Sequence, residues 1–191
     1  MVTTIFSVLT AAAFTATLFC AALAALSDLR GMRIANLLSL IITGSFAFAF
    51  LVDLIFLREA ALFGTWWHAP LAGILMLVIT FILTGAGVIG GGDSKLASSL
   101  ALWTGLGGLP AFLLVMSFAG GILAFIAIAG RNSRIAKALA PRCGEKSWVA
   151  ALAAGKNALP YGVAIFLGAV AAFLQTGLLT AVFITPFAPV N

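Results

Sequence analysis

Apolar stretches long enough to cross a lipid bilayer follow one another along most of this chain. A helix needs about 20 mostly apolar residues to cross a hydrocarbon core roughly 30 Å thick. Of the 191 residues, 63% are hydrophobic and only 8% are charged, which is too apolar for one soluble core. The sequence therefore predicts an all-α polytopic membrane protein, forming a single transmembrane domain over residues 1–191.

The apolar runs, separated at Gly, Pro and charged residues, give six candidate spans. These are 4–26, 37–57, 69–89, 95–109, 110–129 and 159–183. No Lys or Arg precedes the first span, so we expect a retained helix rather than a cleaved secretory signal. A Gly/Pro turn is expected near 105–110, and the only sizeable loop at 130–158.

Basic residues are distributed unequally between alternate loops. One set of loops carries nine, and the other carries only Arg58. The nine are Arg30, Arg33, Lys95, Arg131, Arg134, Lys137, Arg142, Lys146 and Lys156. Since cytoplasmic loops hold the excess of Lys and Arg, this asymmetry predicts that both termini lie on the non-cytoplasmic side. The net charge of +5 is then explained by basic residues that orient the protein in the membrane and contact the lipid bilayer. We therefore expect no nucleic-acid binding.

Only five acidic residues occur in the chain, and three of them have simple explanations. Glu59 follows Arg58 at the expected outer boundary, where a solvated ion pair is sufficient. Asp53 is expected among the outer lipid headgroups. Glu145 lies in the basic loop.

The other two acids, Asp28 and Asp93, fall at helix ends that the topology places on the same cytoplasmic face. From local chemistry alone, Asp93 could cap a helix and Asp28 could balance a neighbouring arginine. If the two carboxyls approach closely, they cannot both ionise easily, so one can act as general acid while the other activates water. Peptide hydrolysis needs both roles.

No other residue set offers equivalent chemistry at this face. His68 is the only histidine and is expected on the outer side, which excludes a Ser-His arrangement at the cytoplasmic face. Cys20 and Cys143 lack the spacing of a metal site, and no acidic cluster remains. We therefore expect no metal and no other cofactor. The glycines from Gly90 to Gly92 would allow unusual backbone dihedrals and close approach of a substrate strand.

Three short motifs in the sequence resemble those of a known protein family. Asp28 is followed by Arg30, Ile34 and Asn36; Gly90-x-Gly92-Asp93-x-Lys95 opens the fourth span; and Pro160-Tyr161-Gly162 opens the last. Together they resemble the prepilin peptidase family, in particular the short enzymes of tight-adherence (Flp-type) pilus systems. Ala35 departs from the pattern, since many relatives have proline there.

The resemblance implies a bacterial inner-membrane aspartyl protease that cuts the short basic leader from prepilins at the cytoplasmic face. It implies that Asp28 and Asp93 are the catalytic pair, with Gly90 and Gly92 in support. The Cys-x-x-Cys motifs and extra domain of the N-methylating relatives are missing from this sequence, so we expect cleavage without methylation.

Two further residues are candidates for supporting roles. Asn36 would cap the second helix and orient the Asp28 segment, and Lys95 would favour the charged form of Asp93. A plain helix cap and a snorkelling anchor are the alternatives.

Two other functions remain open from the residues alone. The aspartates could form a proton or cation relay in a small transporter, although no acid is expected at mid-span. Alternatively, the glycine-rich helices could serve as a pilus-assembly scaffold.

Overall fold

The computed structural model describes residues 2–56, 63, 65–156 and 158–184. Within these ranges the chain forms helices and no strands. The helices are α1 (Val2–Gly31), α2 (Asn36–Phe56), α3 (His68–Gly85), α4 (Gly91–Gly130), α5 (Arg134–Cys143), α6 (Trp148–Ala153), α7 (Tyr161–Gln175) and α8 (Leu178–Phe183). The predicted pair of Arg58 and Glu59 lies outside the described residues.

Four of these helices are long and apolar enough to cross a membrane. They are Ile5–Gly31 within α1, and the whole of α2, α3 and α4. The apolar helix α7 is shorter, and α8 follows it after a left-handed residue at Gly177. The protein is therefore an all-α polytopic membrane protein, as its sequence predicts.

Helix α4 is interrupted at Gly105, whose φ of 60° and ψ of −177° are not helical. Glycine adopts this positive φ without the steric cost that a side chain would impose. We call residues 91–104 the first arm of α4 and residues 106–130 its second arm. The break lies within the turn predicted at 105–110, and Pro110 lies inside the second arm rather than at the break.

The first arm packs antiparallel to α3. A Cβ placed on Gly73, near the start of α3, would overlap the side chain of Leu102 near the end of this arm. Towards the end of α3, the Thr80 hydroxyl lies 2.8 Å from the Ser94 hydroxyl near the start of the arm. The first arm therefore runs from the end of the bundle where α3 finishes to the end where α3 begins.

The second arm packs antiparallel to α7 and returns to the starting end. Gly108 faces Thr176, just after α7, whereas Gly120 faces Tyr161 at the first residue of α7. Halfway along, a Cβ on Gly168 would lie 2.7 Å from the Phe112 ring. Each of the six predicted spans overlaps a helical segment when the two arms are counted separately, but only four helices of the described residues are long and apolar enough to cross a membrane.

The expected loop at 130–158 contains two helices, so that prediction was wrong. Serines start both of them: Ser133 Oγ accepts a hydrogen bond from the Ala136 N–H at 3.0 Å, and Ser147 Oγ accepts one from the Ala150 N–H at 3.2 Å. Such N-caps satisfy backbone donors that would otherwise lack partners. Three of the six basic residues of this stretch, Arg134, Lys137 and Arg142, thus lie on α5.

Aromatic side chains hold the long helices together. The Phe14 ring of α1 is fully buried, with its centroid 5.1 Å from both the Trp103 ring in the first arm of α4 and the Phe173 ring in α7. This cluster packs α1, the first arm of α4 and α7 against one another. The candidate site lies at the opposite end of these helices. Asp53 of α2 is only 5% exposed, so other parts of the protein cover its side chain.

Candidate active site

Asp28 lies in the last turn of α1, which extends five residues beyond the predicted end at residue 26. Its side chain is buried, with 6% of its surface exposed. The Oδ2 atom accepts a hydrogen bond of 2.7 Å from the Gly162 N–H at the start of α7. The first N–H groups of a helix have no partner within the helix, and they attract negative charge. The start of α7 is thus a natural partner for this carboxyl.

Gly162 approaches Asp28 too closely to carry a side chain without disturbance. A Cβ on Gly162 would lie 3.1 Å from both Cβ and Oδ2 of Asp28, and 3.2 Å from Cδ1 of Ile34. Here the glycine is needed for space, since its φ is not in the left-handed region. Residues 134 positions apart in sequence are therefore in direct contact.

Asp93 lies in the first turn of α4, three residues after the N-cap residue Gly90. Its Oδ2 atom accepts a hydrogen bond of 3.1 Å from the Gly90 N–H. The other oxygen, Oδ1, is buried and has no hydrogen-bond partner among the described residues. A buried carboxylate oxygen without a partner is costly, and it is a natural acceptor for a water or a substrate group.

The two carboxyls lie at the same end of the bundle. Ile34, in the connection between α1 and α2, packs beside Gly162 and also lies 3.4 Å from the Cβ position of Gly92. The Asp28 carboxyl is near enough to act electrostatically on Asp93. The structure thus brings together the two acids that the sequence placed on one face.

The glycines before Asp93 provide space rather than unusual dihedrals. Gly90 has an extended conformation with φ −78° and ψ 152°, and neither Gly91 nor Gly92 has a positive φ. The expectation of unusual dihedrals was therefore wrong. A Cβ on Gly90 would lie 2.8 Å from Asp93 Oδ2, whereas one on Gly91 would meet nothing within 4 Å.

Lys95 and Asn36 contact each other beside the pair. Lys95 Nζ donates a hydrogen bond of 3.1 Å to Asn36 Oδ1, and both side chains are exposed. Asn36 is the first residue of α2, so this bond links the starts of α2 and α4. Lys95 is therefore positioned by Asn36 rather than by the carboxyl of Asp93.

The described residues contain no group of three or more His, Cys, Asp and Glu side chains that could hold a metal ion. Cys20 is buried and Cys143 is exposed, and both are free thiols. The chemistry available at this end of the bundle is that of two carboxyls, backbone donors from α4 and α7, and the neighbouring Lys95.

Sequence reasoning missed two contributors to this arrangement. The Gly162 N–H anchors Asp28, and Ile34 packs between the starts of α4 and α7. Both residues belong to motifs that were visible in the sequence. Their contacts were not predictable, because they depend on which helix ends meet.

Comparison with known families gives a match over most of the chain. The model of the type IV leader peptidase family matches residues 3–125, which include Asp28, Asn36, Gly90, Gly92, Asp93 and Lys95. The matched region ends before α7, so it does not include Gly162. Searches of curated proteins and of solved structures gave no match.

Proposed function

We propose a specific activity for this chain, which belongs to the type IV leader peptidase family: it is an aspartyl endopeptidase that removes the leader from Flp-type prepilins. The observation that carries the proposal is the meeting of Asp28 and Asp93 from two different helices at one end of the bundle. Both are partly or fully buried, and each has one oxygen held by a backbone N–H.

In the proposed mechanism the pair works as one acid–base unit. The ionised carboxylate takes a proton from a water molecule, whose oxygen forms a bond to the scissile carbonyl carbon. The protonated partner gives its proton to the amide nitrogen, and the C–N bond breaks. The leader leaves with a new carboxyl group and the pilin with a new amine. Asp93 Oδ1 is well suited to bind the water, because no described residue donates to it.

The two backbone donors keep the carboxyls in fixed positions. Reactions of this kind require the reacting atoms to be held about 3–3.5 Å apart, and small displacements cost large factors in rate. Gly162 and Gly90 donate their N–H groups to these carboxyls, and a Cβ on either glycine would crowd the carboxyl oxygen that accepts the bond. We assign Gly92 to the same role of leaving space, against Ile34, and Lys95 with Asn36 to holding the starts of α4 and α2 together.

We place the protein in the bacterial inner membrane, with the aspartates on the cytoplasmic side and both termini on the other. The positions of the basic residues support this orientation. Arg30 near the end of α1 and Arg33 in the connection to α2 share a cavity with Lys146 and Lys156, at the same end of the bundle as Asp28. An excess of basic residues at one end is typical of the cytoplasmic side.

The test is cleavage of a prepilin by the intact protein. The chain is co-expressed with Flp-type prepilins, and the products are analysed by gel mobility and by N-terminal sequencing. We expect a shortened pilin with one new N-terminus and no N-methylation. Recovery of only full-length prepilins would contradict the proposal. Proton uptake by proteoliposomes containing the protein would favour the relay instead.

A further inference from the structure

A cavity of about 870 Å³ lies between the end of α1, the connection to α2, and the segment containing α6. Its volume is within the range of sites that bind small molecules in proteins, about 300–1,000 Å³. None of the residues that line it is one of the two aspartates. The mechanism proposed above therefore leaves this cavity unexplained.

The charged residues of the cavity are mostly basic. Four cations line it, namely Arg30, Arg33, Lys146 and Lys156, against the single acid Glu145. All four cationic side chains are exposed. Four positive charges and one negative charge give a net charge of +3, which favours an anionic ligand. A basic leader peptide would be repelled from the same surface.

One wall of the cavity is apolar and continues onto the membrane-facing surface of α1. Leu23 and Leu26 are 38% and 46% exposed, and they lie on the helix that is long enough to cross the membrane. Met32 adds apolar surface beside the cations. A free phosphate ion would use only the cations, whereas a lipid would use both parts of the cavity.

We propose that this cavity binds an anionic phospholipid. The phosphate lies against Arg30, Lys146 and Lys156, and the acyl chains leave along Leu23 and Leu26. Basic pockets between membrane helices on the cytoplasmic side bind anionic headgroups in this way. Its residues do not include the catalytic pair, so lipid binding can be measured separately from peptide cleavage.

The test is lipid binding to the full-length protein in detergent, followed by native mass spectrometry. Phosphatidylglycerol is titrated against phosphatidylcholine, and glycerol 3-phosphate provides a glycerol phosphate anion without acyl chains. We expect preferential retention of phosphatidylglycerol, with no displacement by equimolar glycerol 3-phosphate. Equal retention of the two lipids, or equal binding of glycerol 3-phosphate, would overturn the proposal.

Two variants with equal loss of charge locate the site. Arg30, Lys146 and Lys156 are replaced together by Gln in the first variant, which should bind phosphatidylglycerol more weakly by on the order of a hundredfold. Arg134, Lys137 and Arg142 of α5, which do not line the cavity, are replaced by Gln in the second. That control should stay within about threefold of the parent. Equal weakening in both would mean diffuse attraction and no site.

A third variant tests the cavity without changing its charge. Ala154 is exposed on the cavity wall, so Ala154→Phe should fill space without disturbing the helix core. We expect it to lose phosphatidylglycerol while eluting from size-exclusion chromatography like the parent. Unchanged lipid binding in this variant, or displacement of the lipid by purified prepilin, would refute a dedicated lipid site.

Discussion

Replacing Gly162 by alanine should disable the site while leaving most of the fold in place. The new Cβ would lie 3.1 Å from Asp28 Oδ2 and 3.2 Å from Ile34 Cδ1, so one of these groups must move by a few tenths of an ångström or more. Overpacking of this kind costs about 1–3 kcal/mol. The hydrogen bond from the Gly162 N–H to the carboxyl, 2.7 Å long, would stretch or break as Asp28 moves.

The substitution should slow cleavage while the protein still folds. A displacement of about 1 Å at a reacting group can cost on the order of a hundredfold in rate, and a few tenths of an ångström correspondingly less. We therefore expect kcat for prepilin cleavage to fall by about tenfold in Gly162→Ala, with KM changed little, because Gly162 contacts Asp28 rather than the substrate. Initial rates in detergent, normalised to the amount of folded protein, provide the measurement.

Gly91→Ala is the matched control, since it adds the same methyl group in the first turn of α4, two residues before Asp93. No atom lies within 4 Å of its Cβ position, and its φ is not positive. It should cleave at close to the parental rate. If Gly162→Ala also remained within about threefold of the parental rate, the anchoring of Asp28 by α7 would have no importance for catalysis.

Three further outcomes are expected. Gly90→Ala should reduce cleavage at least about tenfold, because its Cβ would lie 2.8 Å from Asp93 Oδ2. Initial rates equal to the parental ones would show that the hydrogen bond from the Gly90 N–H to Asp93 is dispensable. Lys95→Met should reduce the rate by no more than about fivefold, since the hydrogen bond from Lys95 to Asn36 is exposed and worth about 1 kcal/mol or less. A complete loss of activity would assign Lys95 a direct role. In a cysteine-free background, a thiol replacing Lys137 should react with an impermeant reagent only after the cells are opened, and labelling of intact cells would reverse the proposed orientation.

Much of the fold was predictable because lipid imposes simple rules on sequence. Long apolar runs must form helices, since an unpaired backbone group in hydrocarbon costs several kcal/mol. Helix ends carrying Asp28 and Asp93 were assigned to one side by counting the helices between them. The helices of 130–158 were missed because neither is a long apolar run: α5 is an amphipathic helix of 10 residues and α6 has only 6 residues.

The details of the site depend on tertiary contacts that no local pattern contains. Nothing near Asp28 in the sequence indicates that its partner is Gly162, at the start of another helix. Similarly, the most visible interruption of α4 was Pro110, yet the backbone departs from helical geometry at Gly105. Proline is tolerated near the beginning of a helix, which is where Pro110 lies in the second arm. The positive φ of Gly105 is not helical, so the two arms are separated at Gly105.

The most direct test is the rate of prepilin cleavage after replacement of each aspartate by asparagine. Asp28→Asn and Asp93→Asn keep the size of the side chain but remove the carboxyl proton, so each should lower the rate by on the order of 10²–10⁴-fold at parental protein levels. Asp53→Asn is the matched control, because Asp53 is as buried as Asp28 but lies on α2 away from the pair. It should cleave at close to the parental rate. If either Asp28→Asn or Asp93→Asn also cleaved at close to the parental rate, the two-aspartate mechanism would be contradicted.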